Sequence, residues 1–193
     1  RREEDRMSDL ELRIKTVLEP ILELPDPRTR LSAYHDMPYA IFRYDPEEEL
    51  EMRRLVSLLG TRLAQKGKRV SRISLAECLD EALRSQNPLE DWVRAEREQG
   101  PATLVDTIHV VLSSYAPLVD LVAARMPAEP DPLRDVVFLL RTGALFPVYR
   151  TFSLLEQLKG RVQVPAILFY PGTLDGAAGL RFMGVLDAEH NYR

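Results

Sequence analysis

Met7, Leu10, Ile14, Val17, Leu18 and Ile21 fall on one helical face, which predicts a helix with Ser8 as N-cap and Glu11 completing a capping box. Pro25 and Pro27 end it, and residues 25–37 read as a loop. The period then changes. Residues 39–44 (Tyr-Ala-Ile-Phe-Arg-Tyr) form a short apolar and aromatic run, the mark of a strand. A second helix opens sharply, with Asp45 as cap, Pro46 at its first position and Glu48 three residues after the cap. Glu47, Glu48 and Glu49 suit the positive end of its dipole, and Met52, Leu55, Val56, Leu59 and Leu63 form its stripe as far as Gly67.

Residues 69–74 alternate weakly and predict a second strand. Ser74 and Glu77 form a capping box for a helix to about Arg84, and Asn87-Pro88 opens another that runs to Gly100. Residues 102–125 read as helical with a break near Pro117, and 127–132 as a stiff connector. Residues 135–140 and 164–170 are near-continuous apolar runs, as in strands covered on both faces. A helix from about Pro147 to Leu158 separates them, Pro171-Gly172 stops the second, and 180–186 is expected as a final edge strand. Strands separated by helices need crossover connections. The sequence therefore predicts one α/β domain over 1–193: a mainly parallel sheet of about four to five strands flanked by helices. The layout is that of a P-loop NTPase without the P-loop. Residues 75–125 are too long for one crossover and are expected as a helical insertion, with 1–6 a disordered extension ahead of Met7.

The net charge of −4 carries no basic excess of the kind that marks a general nucleic-acid binder. It is uneven: residues 133–193 hold seven Lys/Arg against five Asp/Glu, a net of +2, so the rest carries −6. The one cysteine, Cys78, lies among apolar neighbours on a helix and is expected to be a buried, inert thiol. No apolar run reaches the roughly 18 residues of a membrane span, and no signal peptide opens the chain, so the expected location is the cytoplasm, away from any membrane.

Ligands of open parallel sheets bind at the strands' carboxyl ends. After the first strand the chain reads Tyr44-Asp45-Pro46-Glu47-Glu48-Glu49, with no glycine and with acids that repel phosphate. That excludes P-loop chemistry there, and Gly-x-Gly-x-x-Gly occurs nowhere. Asp45 is a candidate base, though its role as a cap already accounts for it. Arg141 in Arg141-Thr142-Gly143 can meet a phosphate or a carboxylate, with Arg150 on the same side. Gly172, Asp175 and Gly176 form the strongest turn signal, either a rigid recognition loop or a plain connection between strands. His35, His109 and His190 are far apart, and no zinc or serine-hydrolase motif is present. No catalytic residue, metal or cofactor is therefore assigned. Trp92 reads as an anchor in a core or an interface.

The last third carries a resemblance. Phe138 to Arg150, then Val164 to Gly172 with Phe169-Tyr170-Pro171-Gly172, Asp175-Gly176, Leu180-Arg181-Phe182 and Asn191-Tyr192-Arg193 together resemble the BrxB family, a component of BREX bacteriophage-exclusion systems. Tyr44-Asp45-Pro46 looks similar too, whereas position 174 is Leu where an aromatic is expected. The resemblance implies antiphage defence beside a PglZ-type protein, a PglX-type DNA methyltransferase and a BrxC-type ATPase. It implies no catalytic residues. Three readings follow, in order of support. The first is a non-catalytic adaptor with an exposed apolar patch, on which DNA is reached only indirectly. The second is a DNA-binding accessory subunit using Arg141, Arg150, Lys159, Arg161 and Arg181. The third is an enzyme or nucleotide binder that gathers Asp45, Arg141 and Asp175 at one pocket.

Overall fold

A computed structural model describes residues 7–31, 38–176 and 179–184. Residues 1–6, His35, the predicted strand beyond residue 184, His190 and the Asn191-Tyr192-Arg193 motif lie outside the described residues.

Ser8 caps the first helix as expected, its Oγ accepting the Glu11 N–H at 3.2 Å. The helix is built in three pieces: α1 (Asp9–Arg13), a π-helical turn (Ile14–Leu18) and α2 (Glu19–Leu22). Pro20 has no N–H to give the Thr16 carbonyl, and the turn before it widens so that the Glu19 N–H reaches Ile14 O. Widening changes which side chains line up. Leu10, Ile14, Leu18 and Leu22, four residues apart, face the core, while Val17 is 58% exposed. The buried face predicted from a regular 3.6-residue period is corrected accordingly.

Next come β1 (Tyr39–Tyr44), a 3-10 turn (Pro46–Glu48), α3 (Glu49–Gln65) and β2 (Arg69–Ser74). The stretch between β2 and the next strand supplies α4 (Leu75–Gln86), α5 (Leu89–Gln99), α6 (Pro101–Val110), a second π-helical turn (Val111–Tyr115) and α7 (Leu118–Ala123). That π turn also runs into a proline, Pro117. Then follow β3 (Asp135–Leu140), a 3-10 turn (Thr142–Leu145), α8 (Thr151–Leu158), β4 (Ala166–Asp175) and β5 (Gly179–Phe182). Helix α8 starts at Thr151, later than expected, after residues 142–145 coil as a 3-10 turn.

The strands run in the order β1-β4-β3-β2, all parallel, and β5 pairs antiparallel with the distal half of β4. The alternation of β3 shows why both faces are covered. Val136 and Phe138 enter one apolar cluster with α1, α2 and α3. Val137 and Leu139 enter the other with α4, α6, α7 and α8. The helices from 75–125 thus pack in the same core as the sheet, through Cys78, Leu112, Leu118 and Val122. Burial pushes the Cys78 thiol pKa up. Charges tie the edges. Asp135, almost fully buried, accepts from Arg69 Nε and Nη2, each at 2.8 Å. Lys68 donates to the Leu24 and Leu133 carbonyls at 2.6 and 2.9 Å. Glu19 on α2 accepts a two-pronged bond from Arg62 on α3.

Pro171-Gly172 does not stop β4. Tyr44 pairs with Pro171 and Phe182 with Gly172, so the strand changes partner there and continues to Asp175. Gly172 is required for close approach rather than for a turn: a Cβ there would lie 2.5 Å from the Arg181 carbonyl and 2.5 Å from the Tyr170 ring. Gly172→Ala should therefore destabilise the protein by about 1–3 kcal/mol, the range for overpacking. Urea unfolding measures this, and an unchanged midpoint would show that β5 yields freely.

Candidate functional site

The carboxyl ends of β1, β2 and β3 open on a cavity of about 290 Å³ beneath α3. Its floor is apolar: Met52 and Val56 from α3, with Leu140 and Phe169 from the sheet. Its walls carry Tyr44, Glu49, Arg53, Ser57, Arg72, Ser74, Glu77 and Arg141. A second cavity of about 190 Å³ shares Glu49, Arg53 and Arg141 and extends over Pro46, Gly143, Ala144, Pro171 and Met183.

Glu49 is the hub. Asp45 caps the chain, its carboxylate accepting the Glu47 N–H at 3.0 Å while Glu48 accepts the Asp45 N–H at 3.3 Å. That box starts α3 so that Glu49 stands in its first turn, one turn before Arg53 on the same face. Glu49 accepts from Arg53 Nε at 2.9 Å and from the Tyr44 hydroxyl, and Arg141 Nε approaches it at 3.9 Å. Tyr44 is the last residue of β1 and almost fully buried. Burial, and then the Glu49 carboxylate that its proton serves, hold the phenol pKa far above its ordinary value.

Two features hold the other guanidinium groups in place. Arg141 follows β3 in the left-handed region, φ 56°, which costs a residue with a side chain roughly 1–2 kcal/mol. Arg72 leaves β2 and crosses α3 at Gly60, its Nη2 donating to the Ser57 carbonyl at 3.2 Å. A Cβ on Gly60 would lie 2.4 Å from that nitrogen. A glycine inside a 17-residue helix costs about 1 kcal/mol against alanine, and here it makes the notch that the guanidinium fills. Three arginines from three elements therefore face one apolar floor, against Glu49 and Glu77.

Of the residues singled out from sequence, Arg141 lines both cavities. Asp45, Arg150, Gly172, Asp175 and Gly176 line neither. Asp45 is engaged as a cap. Asp175 pairs with Arg181 at 3.0 Å within the β4–β5 hairpin. Gly176 is at its turn with φ 68°, and Arg150 precedes α8. The structure thus brings Arg141 to the cavity without Asp45 or Asp175. Tyr44, Glu49, Arg53 and Arg72 were not singled out. The signals for them were faint: a Glu–Arg pair four apart in a first turn, and a glycine in mid-helix.

The C-terminal basic residues are largely engaged. Lys159 pairs with Glu156, Arg161 with Asp120 at 2.8 Å and Arg181 with Asp175. His109 lies with Nδ1 3.1 Å from the Val148 carbonyl. Among the described residues, no group of three or more His, Cys, Asp or Glu could hold a metal ion, and no helix is long and apolar enough to cross a membrane.

A family model described as "BREX protein BrxB" matches residues 71–193. A relative described as "BREX protein BrxB", from Bacillus cereus (strain H3081.97), is 27% identical over 161 residues, 82% of this chain and 82% of its own length. No solved structure matches.

The Tyr44–Glu49 bond yields a pH prediction. Tyr44 keeps its proton in the folded protein, whereas in the unfolded chain a tyrosine ionises near pH 10, roughly its unperturbed value. The stability it contributes is therefore fully present below about pH 10 and declines as pH rises above that value. Tyr44→Phe should cost about 1–2 kcal/mol near neutrality and flatten the alkaline decline. Urea unfolding of both proteins from neutral to alkaline pH tests it; parallel pH profiles would refute the assignment.

Proposed function

The chain belongs to the BrxB family of BREX phage-defence proteins, and from that premise we propose that it is a non-catalytic adaptor that docks a PglZ-type subunit. The observation that carries this reading is the outer face of α5. Leu89 and Val93, one turn apart, are 43% and 40% exposed. They line a shallow groove with Glu90, Arg94 and Arg97. Helix α5 buries one side chain, Trp92, whose Nε1 donates to the Leu83 carbonyl at 3.0 Å. One large buried residue is worth about 1.5–3 kcal/mol, and an 11-residue helix is marginal alone. A helix with apolar side chains turned outward among Glu90, Arg94 and Arg97 suits a partner surface that mixes apolar and charged groups.

The PglX-type methyltransferase and the BrxC-type ATPase are the other partners to test. A DNA-binding role has less support, because Arg141, Lys159, Arg161 and Arg181 each lie within 4 Å of a carboxylate. An adaptor also needs no reaction centre, in keeping with a β1–α3 junction in which acidic residues replace a P-loop.

Leu89→Asp combined with Val93→Asp should abolish co-elution with the PglZ-type subunit. Stability should change by no more than about 0.5 kcal/mol, as is usual at exposed positions. A double variant that still co-elutes as the parent does would sink the assignment of this face.

A further inference from the structure

The docking reading leaves the arginine-lined cavity without a purpose, although four strands, two helices and the turn after β3 contribute to building it. We infer that this cavity binds a small organic anion of about nucleoside-monophosphate size. Its phosphate or carboxylate head meets Arg72, Arg53 and Arg141, and its flat apolar body rests on Met52, Val56 and Leu140.

The volume of about 290 Å³ lies at the lower end of small-molecule sites. The division into an apolar floor and a cationic rim selects for an amphipathic anion over a bare ion. Each guanidinium keeps donor capacity. Arg72 gives one nitrogen to a backbone carbonyl and none to a carboxylate among the described residues. Arg53 engages Glu49 through Nε and lines both cavities. Arg141 approaches Glu49 no closer than 3.9 Å, beyond hydrogen-bond distance. Glu49 and Glu77 are the resident anions, and the incoming head group competes with Glu49 for Arg53 and Arg141. Glu47 and Glu48, which discourage phosphate when read from sequence, do not line the cavity.

The residues recognise the head through side chains. The cavity's place at the carboxyl ends of parallel strands is where such sheets take ligands.

The test is calorimetric titration of the full chain with AMP, GMP, CMP and UMP in turn, and with inorganic phosphate. At least one nucleotide should bind about ten-fold more tightly than phosphate. Gly60→Ala displaces the Arg72 guanidinium while favouring the helix, so it should weaken binding about ten-fold without lowering Tm. Arg141→Gly suits the left-handed backbone and removes the charge, and it should do the same. Glu49→Gln frees two arginines and should tighten binding. The α5 double variant should bind as the parent does, which separates this inference from the docking reading. Absence of binding by all four nucleotides, equal affinity for inorganic phosphate alone, or affinity unmoved by Gly60→Ala and Arg141→Gly would each overturn it.

Discussion

Strand β4 is paired on both edges and covered on both faces. It runs beside β1 from Ala166 to Pro171 and beside β3 from Ala166 to Leu168, and all seven residues from Ala166 to Gly172 are buried. A strand so placed holds mostly apolar side chains and needs its backbone groups satisfied. Its burial fixes where every neighbour goes. Ile167 and Phe169 must be covered by α1, α2 and α3, and Leu168 and Tyr170 by the helices of the other layer. With helices on both sides, the polar ends of the strands are the place left for chemistry. Once β4 passes beyond β1 it needs a new partner, and β5 supplies it.

At those ends the chain solves an electrostatic problem unusually. A helix N-terminus following a parallel strand attracts an anion, and here the chain provides its own. Asp45 takes the backbone N–H groups of the turn, and Glu49 collects Tyr44 and Arg53. Neither carboxylate is worth much as a surface pair. Their effect is positional. Glu49 holds Arg53 over the cavity and draws Arg141 toward it, and the buried Tyr44 hydroxyl fixes Glu49 in turn.

The elements were legible in the sequence because their causes are local. Capping residues, proline positions and apolar runs placed β1, α3, α4, β3 and the core of β4, and a doubly covered sheet followed from the runs alone. What was not legible depends on contacts distant in the chain. The face of the first helix shifted because Pro20 acts on the turn before it. Pro171-Gly172 looked like a stop, since a change of strand partner leaves no local mark. The site was legible only at Arg141. Asp45 and Asp175 are chemically apt but already engaged, one by its own turn and one by Arg181 across a hairpin. Arg72 becomes meaningful only beside Gly60, twelve residues earlier on another element, and a mid-helix glycine does not announce which side chain it accommodates.

Helix α4 joins the two surfaces. Its N-cap Ser74 and its first-turn Glu77 line the cavity, and the Leu83 carbonyl near its other end holds the Trp92 indole of α5. Twelve residues of helix span roughly 18 Å. Leu75, Cys78 and Ala82 bury its inner face in the core that covers the sheet. Trp92 enters the core shared with α4, and α5 also packs along α6.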